Sequence, residues 1–309
     1  MPLRMDGCVS IRGEDRMKPE RQTTSKQKEQ ENAAIYARRW ELDLLGRVTY
    51  ASQVGSLFWC RSPRYGECVL KIGKAPEETW TEYYALSADR EGIFCRVYEA
   101  DCSNGALLLE RISPGTPLRQ EPDPCRRMDR YCTLISSLHR PCRHPERFPT
   151  YTQWIRRAAR SIERIKEYGE LSHHMRMARA RYLGLRRRYQ RNLLLHGDLH
   201  HDNILLGESG YRLIDPKGVI GDPIFEIGRF LINEPYSPSA DPTGEDLRLV
   251  QGISRRLAIP AVHVLEVFYV ELCMTTCWFV EDGQTQQYEE RLKHIDFLRS
   301  LLDGQSNWS

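Results

Sequence analysis

The chain lacks several features that would assign a class at once, and each absence is informative. Its ten cysteines show no repeated CxxC pairing. The set Cys125, Cys132, His139, Cys142 and His144 lacks zinc-site spacing and reads as core helix plus loop. No apolar stretch follows the early basic residues of Met1–Glu31, so no secretory signal is read there. The cysteines are then expected as small buried groups in a reducing cytoplasm. The longest apolar run, Val262–Val280, is interrupted by Glu266 and Glu271. A charge at mid-bilayer is costly, so the run reads as a buried helix and no membrane association is expected. A net charge of +3 over 309 residues is too small for a general nucleic-acid binder. There is no internal repeat and no long low-complexity segment.

What is present suits a folded soluble chain of two lobes: 40% hydrophobic and 28% charged residues. The charge is unevenly spread. Glu121–His200 carries 18 Lys/Arg against 8 Asp/Glu, whereas Asp222–Ser309 carries 14 Asp/Glu against 7 Lys/Arg. The acidic third points either to a cationic ligand or to solvated helix faces. The basic run Arg176–Arg191 interleaves tyrosines and arginines, yet reads as a solvated face rather than a nucleic-acid contact.

Pattern divides the chain as follows. Residues 1–32 form a polar, poorly packed tail. A helix is expected over Ala33–Leu45, strands over Val48–Lys74, a helix over Glu77–Arg90, and strands at Ile93–Ala100 and Ala106–Glu110. Together, 33–111 make a small, mostly antiparallel lobe. The proline-rich stretch 112–122 connects it to a helical lobe, 123–309. There, helices are expected at Asp123–His139, Thr150–Tyr168, Ser172–Arg191, Pro223–Ile232, Thr243–Ala258, Pro260–Val280 and Gln284–Leu302. Short strands fall at Leu193–Leu195, Ile204–Leu206 and Tyr211–Ile214. The fold class is α+β.

The chemistry concentrates in LLLHGDLHHDN (Leu193–Asn203) and YRLIDPKG (Tyr211–Gly218). Asp198, Asn203 and Asp215 lie on loops after short apolar strands. Phosphoryl transfer uses such a set: one carboxylate positions a hydroxyl and takes its proton, while an amide oxygen and a second carboxylate hold Mg²⁺ on the nucleotide phosphates. Gly197 permits an unusual backbone angle beside Asp198. Upstream, Lys71 lies in the apolar strand CVLKIG, and Glu82 follows on the next helix. A strand lysine paired with a helix glutamate is how such enzymes hold the α- and β-phosphates. Glu77 and Glu78 compete with Glu82 for that role. A loop aspartate, a cap asparagine and a surface salt bridge are the alternatives for each residue taken singly.

The run HGDLHHDN followed by LIDPKGVIGDPIFEIGRF resembles the aminoglycoside phosphotransferases, nearest their streptomycin 6-kinase and hydroxyurea phosphotransferase branch. VLKIG, TEYYAL and ALLLERISPGTPL match in order, so the resemblance covers roughly Ala33–Leu302. It implies a protein kinase-like bilobal fold, ATP and Mg²⁺, with Asp198 as catalytic base, Asn203 and Asp215 as metal ligands, Lys71 on phosphate and Glu82 as its partner. It further implies backbone hydrogen bonds from Glu110–Ile112 to adenine. Gln53–Leu57 would then cover the phosphates, with Ser56 touching them. His196 and His200 become supports of the loop. The pattern departs from eukaryotic protein kinases: the first loop holds only Gly55, and Asp215 is followed by Pro216, Lys217 and Gly218, so protein substrates are not expected.

The same resemblance places the acceptor against acidic groups of the C-terminal lobe. Asp222, Glu226, Glu234, Glu271, Glu281 and Asp282 are the candidates, with Asp222 and Glu226 on one side of a helix at i,i+4. Trp278 either packs in the core or stacks on a guanidinium. The function implied is transfer of the ATP γ-phosphate to a hydroxyl of a cationic, streptomycin-type small molecule. A housekeeping kinase of another small alcohol or amine, hydroxyurea-, homoserine- or choline-like, is the alternative within enzymes. A non-catalytic nucleotide-binding module would have lost one of the five polar groups, and none is lost. The oligomeric state has no signature in the sequence.

Overall fold

The first helix begins earlier than the sequence pattern suggests. In the computed structural model, which describes residues 19–48, 56–73, 75–88, 92–235 and 242–304, α1 spans Pro19–Arg39. Residues 19–32, expected as tail, are thus helical. Ala33 and Tyr36 are its buried positions, three apart on one face. The helix was expected to run through Leu45, but Glu41 adopts a left-handed φ of 53°, which ends helical continuation. The strand β1 (Asp43–Arg47) follows, exposed along its length.

The chain divides into two units, Met1–Gly73 and Lys74–Ser309. In the first, β1 pairs antiparallel with β2 (Ser56–Ser62), which pairs antiparallel with β3 (Gly66–Ile72). Along β2 burial alternates with exposure, as a pleated strand with one packed face requires. The turn into β3 closes at Gly66, whose φ of 74° suits glycine.

In the second unit, α2 (Pro76–Ser87) starts on a proline, whose missing N–H costs nothing at a helix N-terminus. Its buried face is Thr79, Glu82, Ala85 and Leu86, whereas Trp80 is 39% exposed. Strands β4 (Val97–Asp101) and β5 (Ala106–Glu110) form a hairpin through Gly105. Strand β6 (Pro114–Pro117) lies inside the expected connection.

The helical body follows. Helix α3 (Pro124–Leu138) is capped by Asp123, which accepts from Cys125 N at 2.9 Å. Helix α4 (Tyr151–Glu163) opens with a capping box between Thr150 and Gln153, and α5 (Gly169–Arg188) runs to the arginine cluster. Strands β7 (Leu193–Leu195), β8 (Ile204–Gly207), β9 (Gly210–Leu213) and β10 (Val219–Gly221) are short. β7 pairs antiparallel with β10, while β6, β8 and β9 form an antiparallel three-stranded sheet. Helices α6 (Ile227–Ile232), α7 (Pro242–Leu257), α8 (Ala261–Glu281) and α9 (Tyr288–Asp303) complete the body.

Helix α8 is the core. Among the described residues it is the one helix long and apolar enough to cross a membrane, and 72% of its apolar window is buried inside the protein. Val264–Cys277 is buried apart from Glu266. A helix apolar on all sides is one packed on all sides, and α8 is covered by α4, α5, α6, α7 and α9.

Candidate active site

The loop that carries Asp198 is built around Gly197. Its φ is +78°, and a Cβ there would stand 2.8 Å from Cη2 of Trp154 and 3.0 Å from Cγ1 of Val219. Only glycine fits this turn, and the turn sets the direction of Asp198. A buried carboxylate holds it from behind. Glu226 accepts from His196 N at 2.7 Å and Gly197 N at 2.8 Å, and its Oε2 lies 3.2 Å from His139 Nε2. Burial alone would raise the Glu226 pKa, but these donors outweigh it and hold the carboxylate below its ordinary value.

His196 joins two loops. Its Nε2 meets Ile214 O at 2.9 Å, its Nδ1 accepts from Asp198 N at 3.2 Å, and its backbone oxygen accepts from Lys217 N and Gly218 N at 2.8 and 3.1 Å. Burial lowers its pKa, so the ring is neutral at pH 7 and can accept and donate at the two ends. Asn203 completes the frame. Its Nδ2 donates to Asp198 O at 2.9 Å, and its own backbone oxygen accepts from Ile214 N at 3.1 Å, which sets it beside the strand end that carries Asp215. The amide nitrogen is thereby committed to Asp198. Asp215 has a left-handed φ of 55°. A non-glycine residue in that region is strained, and such strain collects at functional sites.

Asp198 is in a cationic setting. Its Oδ1 lies 3.5 Å from Arg229 Nη1 and 3.9 Å from His200 Nε2. Burial pushes its pKa upward, yet Arg229, His200 and Lys217 outweigh burial, and the carboxyl sits below its ordinary range. It is therefore ionised at neutral pH and competent to orient a hydroxyl. The outer part of the loop is fastened separately. Arg119 grips Asp202 with Nε and Nη2, both at 2.8 Å, and His201 Nε2 meets Glu234 at 2.5 Å, while Arg127 binds the same glutamate.

Second-unit groups near this loop include Arg229, which sequence reasoning missed. Its Nε is 2.8 Å from Glu271 Oε1, and its guanidinium carbon lies 5.0 Å from the Trp278 ring centre. Tyr151 donates to the other Glu271 oxygen. Trp154 stands edge-on to Trp278 at 5.6 Å.

Several expected acceptor contacts are engaged otherwise. Asp222 and Glu226 do not share an α-helical face, because Pro223–Glu226 is a 3-10 turn and the α-helix begins at Ile227. Asp222 caps that turn, accepting from Ile224 N at 3.1 Å and from Arg191 N at 2.9 Å. Glu226 and Glu234 tie the loop as described, and Glu271 is 1% exposed between Arg229 and Tyr151. The oxygens of Asp222, Glu226 and Glu234 already accept from protein donors, and Glu271 takes Tyr151 on one oxygen while its other lies 2.8 Å from the Arg229 guanidinium. Glu281, facing Arg157 at 3.6 Å, is partly exposed, and Asp282 is exposed.

Glu110 accepts from Arg212 Nη2 at 2.8 Å and Arg96 N at 2.9 Å, and Ile112 is buried. Glu82 is 1% exposed on α2. In the first unit, Lys71 is 5% exposed on β3 opposite Leu57, and Ser56 is buried opposite Ile72, accepting from Arg47 at 3.3 Å. Residues 53–55 of the expected phosphate loop lie outside the described residues. Of the cysteine–histidine set, Cys125 is exposed, Cys132 buried, and His139 serves Glu226.

Comparison with known proteins gives a consistent answer. The family described as aminoglycoside/hydroxyurea antibiotic resistance kinase matches residues 39–283. A streptomycin 3''-kinase of Klebsiella pneumoniae is 31% identical over 98 residues, 29% of this chain; the match spans 35% of that protein. Among solved structures, choline kinase LicA from Streptococcus pneumoniae superposes with a TM-score of 0.64 at 14% identity, covering 87% of this chain and 99% of that one. A thermostable aminoglycoside phosphotransferase APH(4)-Ia in a ternary complex with ADP and hygromycin B gives 0.60 at 13% identity, covering 86% and 97%. At such identities the structures show the fold alone: it is the α+β, protein kinase-like fold.

Proposed function

Because the chain belongs to the aminoglycoside/hydroxyurea antibiotic resistance kinase family, we propose that it inactivates an aminoglycoside-like antibiotic, streptomycin-type foremost, by phosphorylating one hydroxyl. The family makes it an ATP-dependent phosphotransferase with an alcohol acceptor. The observation that carries the reading is the loop from His196 to Asn203. It presents an ionised Asp198 carboxylate on a glycine turn, with Asn203 Oδ1 left over and Asp215 held alongside through Ile214.

Those donors fit a magnesium ion. Two oxygen ligands, one amide and one carboxylate, are what this hard cation takes from protein when phosphates and water supply the rest. Mg²⁺ and ATP, when bound, supply charge neutralisation and the γ-phosphoryl group. Asn203 and Asp215 would hold the metal, with the backbone of Glu110–Ile112 on adenine. Asp198 orients the acceptor hydroxyl and would take its proton as that oxygen bonds to the γ-phosphorus, the β,γ-bridging P–O bond breaks and ADP leaves. Glu281 and Asp282 are proposed to meet the acceptor's cationic groups.

The test is ATP turnover over a panel of aminoglycosides, hydroxyurea and small amino alcohols. Asp198→Ala is expected to bind ATP as the wild type does and to lose transfer by about 10²–10⁴-fold. Undiminished turnover in that variant refutes the assigned base. No phosphorylated product with any aminoglycoside, despite ATP binding, refutes the acceptor class.

A further inference from the structure

Arg229 is the most heavily engaged cation near the reacting aspartate. It sits on α6 two residues after the helix begins, with a side chain only 15% exposed. Three groups from two elements surround it: Asp198 of the loop after β7, and Glu271 and Trp278, both on α8. The close approach of α6 to α8 is possible because residue 228 is glycine; a Cβ there would fall 2.5 Å from Cβ of Glu271. The ion pair to Glu271 is close, at 2.8 Å, yet Arg229 Nε and Glu271 Oε1 make no hydrogen bond. Glu271 is therefore held against the guanidinium by proximity and not by an aligned hydrogen bond, while Tyr151 donates to its other oxygen. The opposite end of the guanidinium faces Asp198 at 3.5 Å.

We propose that Arg229 is a positioning residue for phosphoryl transfer: it aims the Asp198 carboxylate, and Glu271, Tyr151 and Trp278 aim Arg229. The proposal rests on Asp198 being the base. It separates this residue from a mere helix tie, because the guanidinium touches the base and not only its neighbouring helix. It also reassigns Glu271. A substrate guanidinium cannot take the place on Trp278 and Glu271 while the chain's own guanidinium fills it. Arg229 is planar and delocalised, so a lysine cannot reproduce both the stacking on Trp278 and the two-sided pairing. A lysine does restore the charge.

The experiment compares wild type, Arg229→Gln, Arg229→Lys and Glu271→Gln in steady-state turnover of ATP with streptomycin. Misplacement of a catalytic group by a fraction of an ångström to an ångström lowers rate steeply. Arg229→Gln and Glu271→Gln are expected to lower kcat by about ten-fold or more, with the streptomycin KM within about two-fold of wild type. Arg229→Lys is expected between Gln and wild type, and millimolar guanidinium ion is expected to raise kcat of Arg229→Gln several-fold by refilling the site. A Glu271→Gln protein with raised KM and unchanged kcat overturns the proposal, because it would mean that Glu271 binds the acceptor. Unchanged kcat in Arg229→Gln overturns it too. If wild type does not phosphorylate streptomycin, the acceptor reading fails separately. The same comparison then runs on hydrolysis of ATP to water, where Asp198 orients the water. If Arg229→Gln does not fold, Glu271→Gln and Arg229→Lys decide by the same kcat criterion.

Discussion

Replacing Glu226 by glutamine changes one buried carboxylate oxygen into an amide nitrogen and little else. The side chain is fully enclosed. It is met on one oxygen by Gly197 N at 2.8 Å, and on the other by His196 N at 2.7 Å and His139 Nε2 at 3.2 Å. A glutamine oxygen can serve only one of these sides. The amide nitrogen then confronts an N–H donor, and neither finds an acceptor. A charge-assisted hydrogen bond contributes about 1.5–3 kcal/mol, and a buried donor left unmet costs about 1–3 kcal/mol. Glu226→Gln is therefore expected to destabilise the protein by about 3–5 kcal/mol, the range found when a buried charge pair loses a member. That is a large fraction of a typical total of about 5–15 kcal/mol.

Urea denaturation followed by circular dichroism measures the loss as a lower midpoint at unchanged slope. Glu281→Gln is the control. Its partner Arg157 has a side chain 77% exposed, 3.6 Å away, and an exposed pair of that kind contributes about 0–1 kcal/mol. If the two variants lose similar stability, or Glu226→Gln loses less than about 1 kcal/mol, the carboxylate is not what holds the catalytic turn and the account of the loop is wrong.

Two further outcomes are expected. Gly197→Ala must place a Cβ 2.8 Å from Trp154 at a φ of +78°, and is expected to cost at least about 2 kcal/mol and most of the turnover; wild-type Tm and kcat would refute the steric argument. Stability is also expected to fall as pH drops. Burial depresses His196 and His201 below their ordinary 6.5, so the unfolded chain takes up protons first as pH falls through about 6.5. Glu226 and Glu234 are held below 4.5, with bonds from His139, His201 and Arg127 outweighing burial, so a further loss sets in below about 4.5. Urea midpoints at pH 7.5, 6, 5 and 4 check this, and a flat profile would contradict it.

Much of the fold was readable because periodic patterns are local. The hairpin of β2 and β3, the strand before Asp198 and the buried helix α8 all leave runs or alternations that need no tertiary knowledge. Misreadings came where something non-local decided. α2 turns Glu82 inward and Trp80 outward, against an apolar-stripe reading, because its buried face carries a carboxylate. β1 is short and exposed, so its leucines mimic a helix face. At the site, Asp198, Asn203 and Asp215 were legible because their order and spacing carry the motif. Glu226, Arg119 and Arg229 were not read as supports of that loop. Glu226 meets Gly197 from 29 positions away, and Arg119 meets Asp202 from 83 away. Pairings at that separation leave no period. The one available signal for Arg229 was its place in FEIGRF, directly after the glycine that admits close helix packing.

The uneven charge of the sequence has a structural cause that needs no ligand. The basic stretch and the acidic third face each other inside the second unit. Arg127 and His139 bind Glu234 and Glu226; Arg191 binds Asp222; Arg157 binds Glu281; Arg181 binds Glu266 and Asp303; His174 binds Asp296. Each pair joins a residue of 121–200 to one of 222–303, and so ties α3, α4, α5 and the strand that leads into the catalytic loop to the C-terminal helices. An isolated buried carboxylate would take up a proton rather than stay charged. With hydrogen-bond donors supplied from the other half, Glu226 and Glu234 are held below their ordinary carboxylate range under the loop. Such pairs contribute little net stability when compared with apolar packing, but losing one partner is expensive, so they define which arrangement of loop and helices the chain accepts. The acidic excess of the C-terminal third is largely spent on this complementarity. The proposed cationic acceptor is therefore left with the carboxylates of Glu281 and Asp282, which keep contact with solvent, and not with net charge.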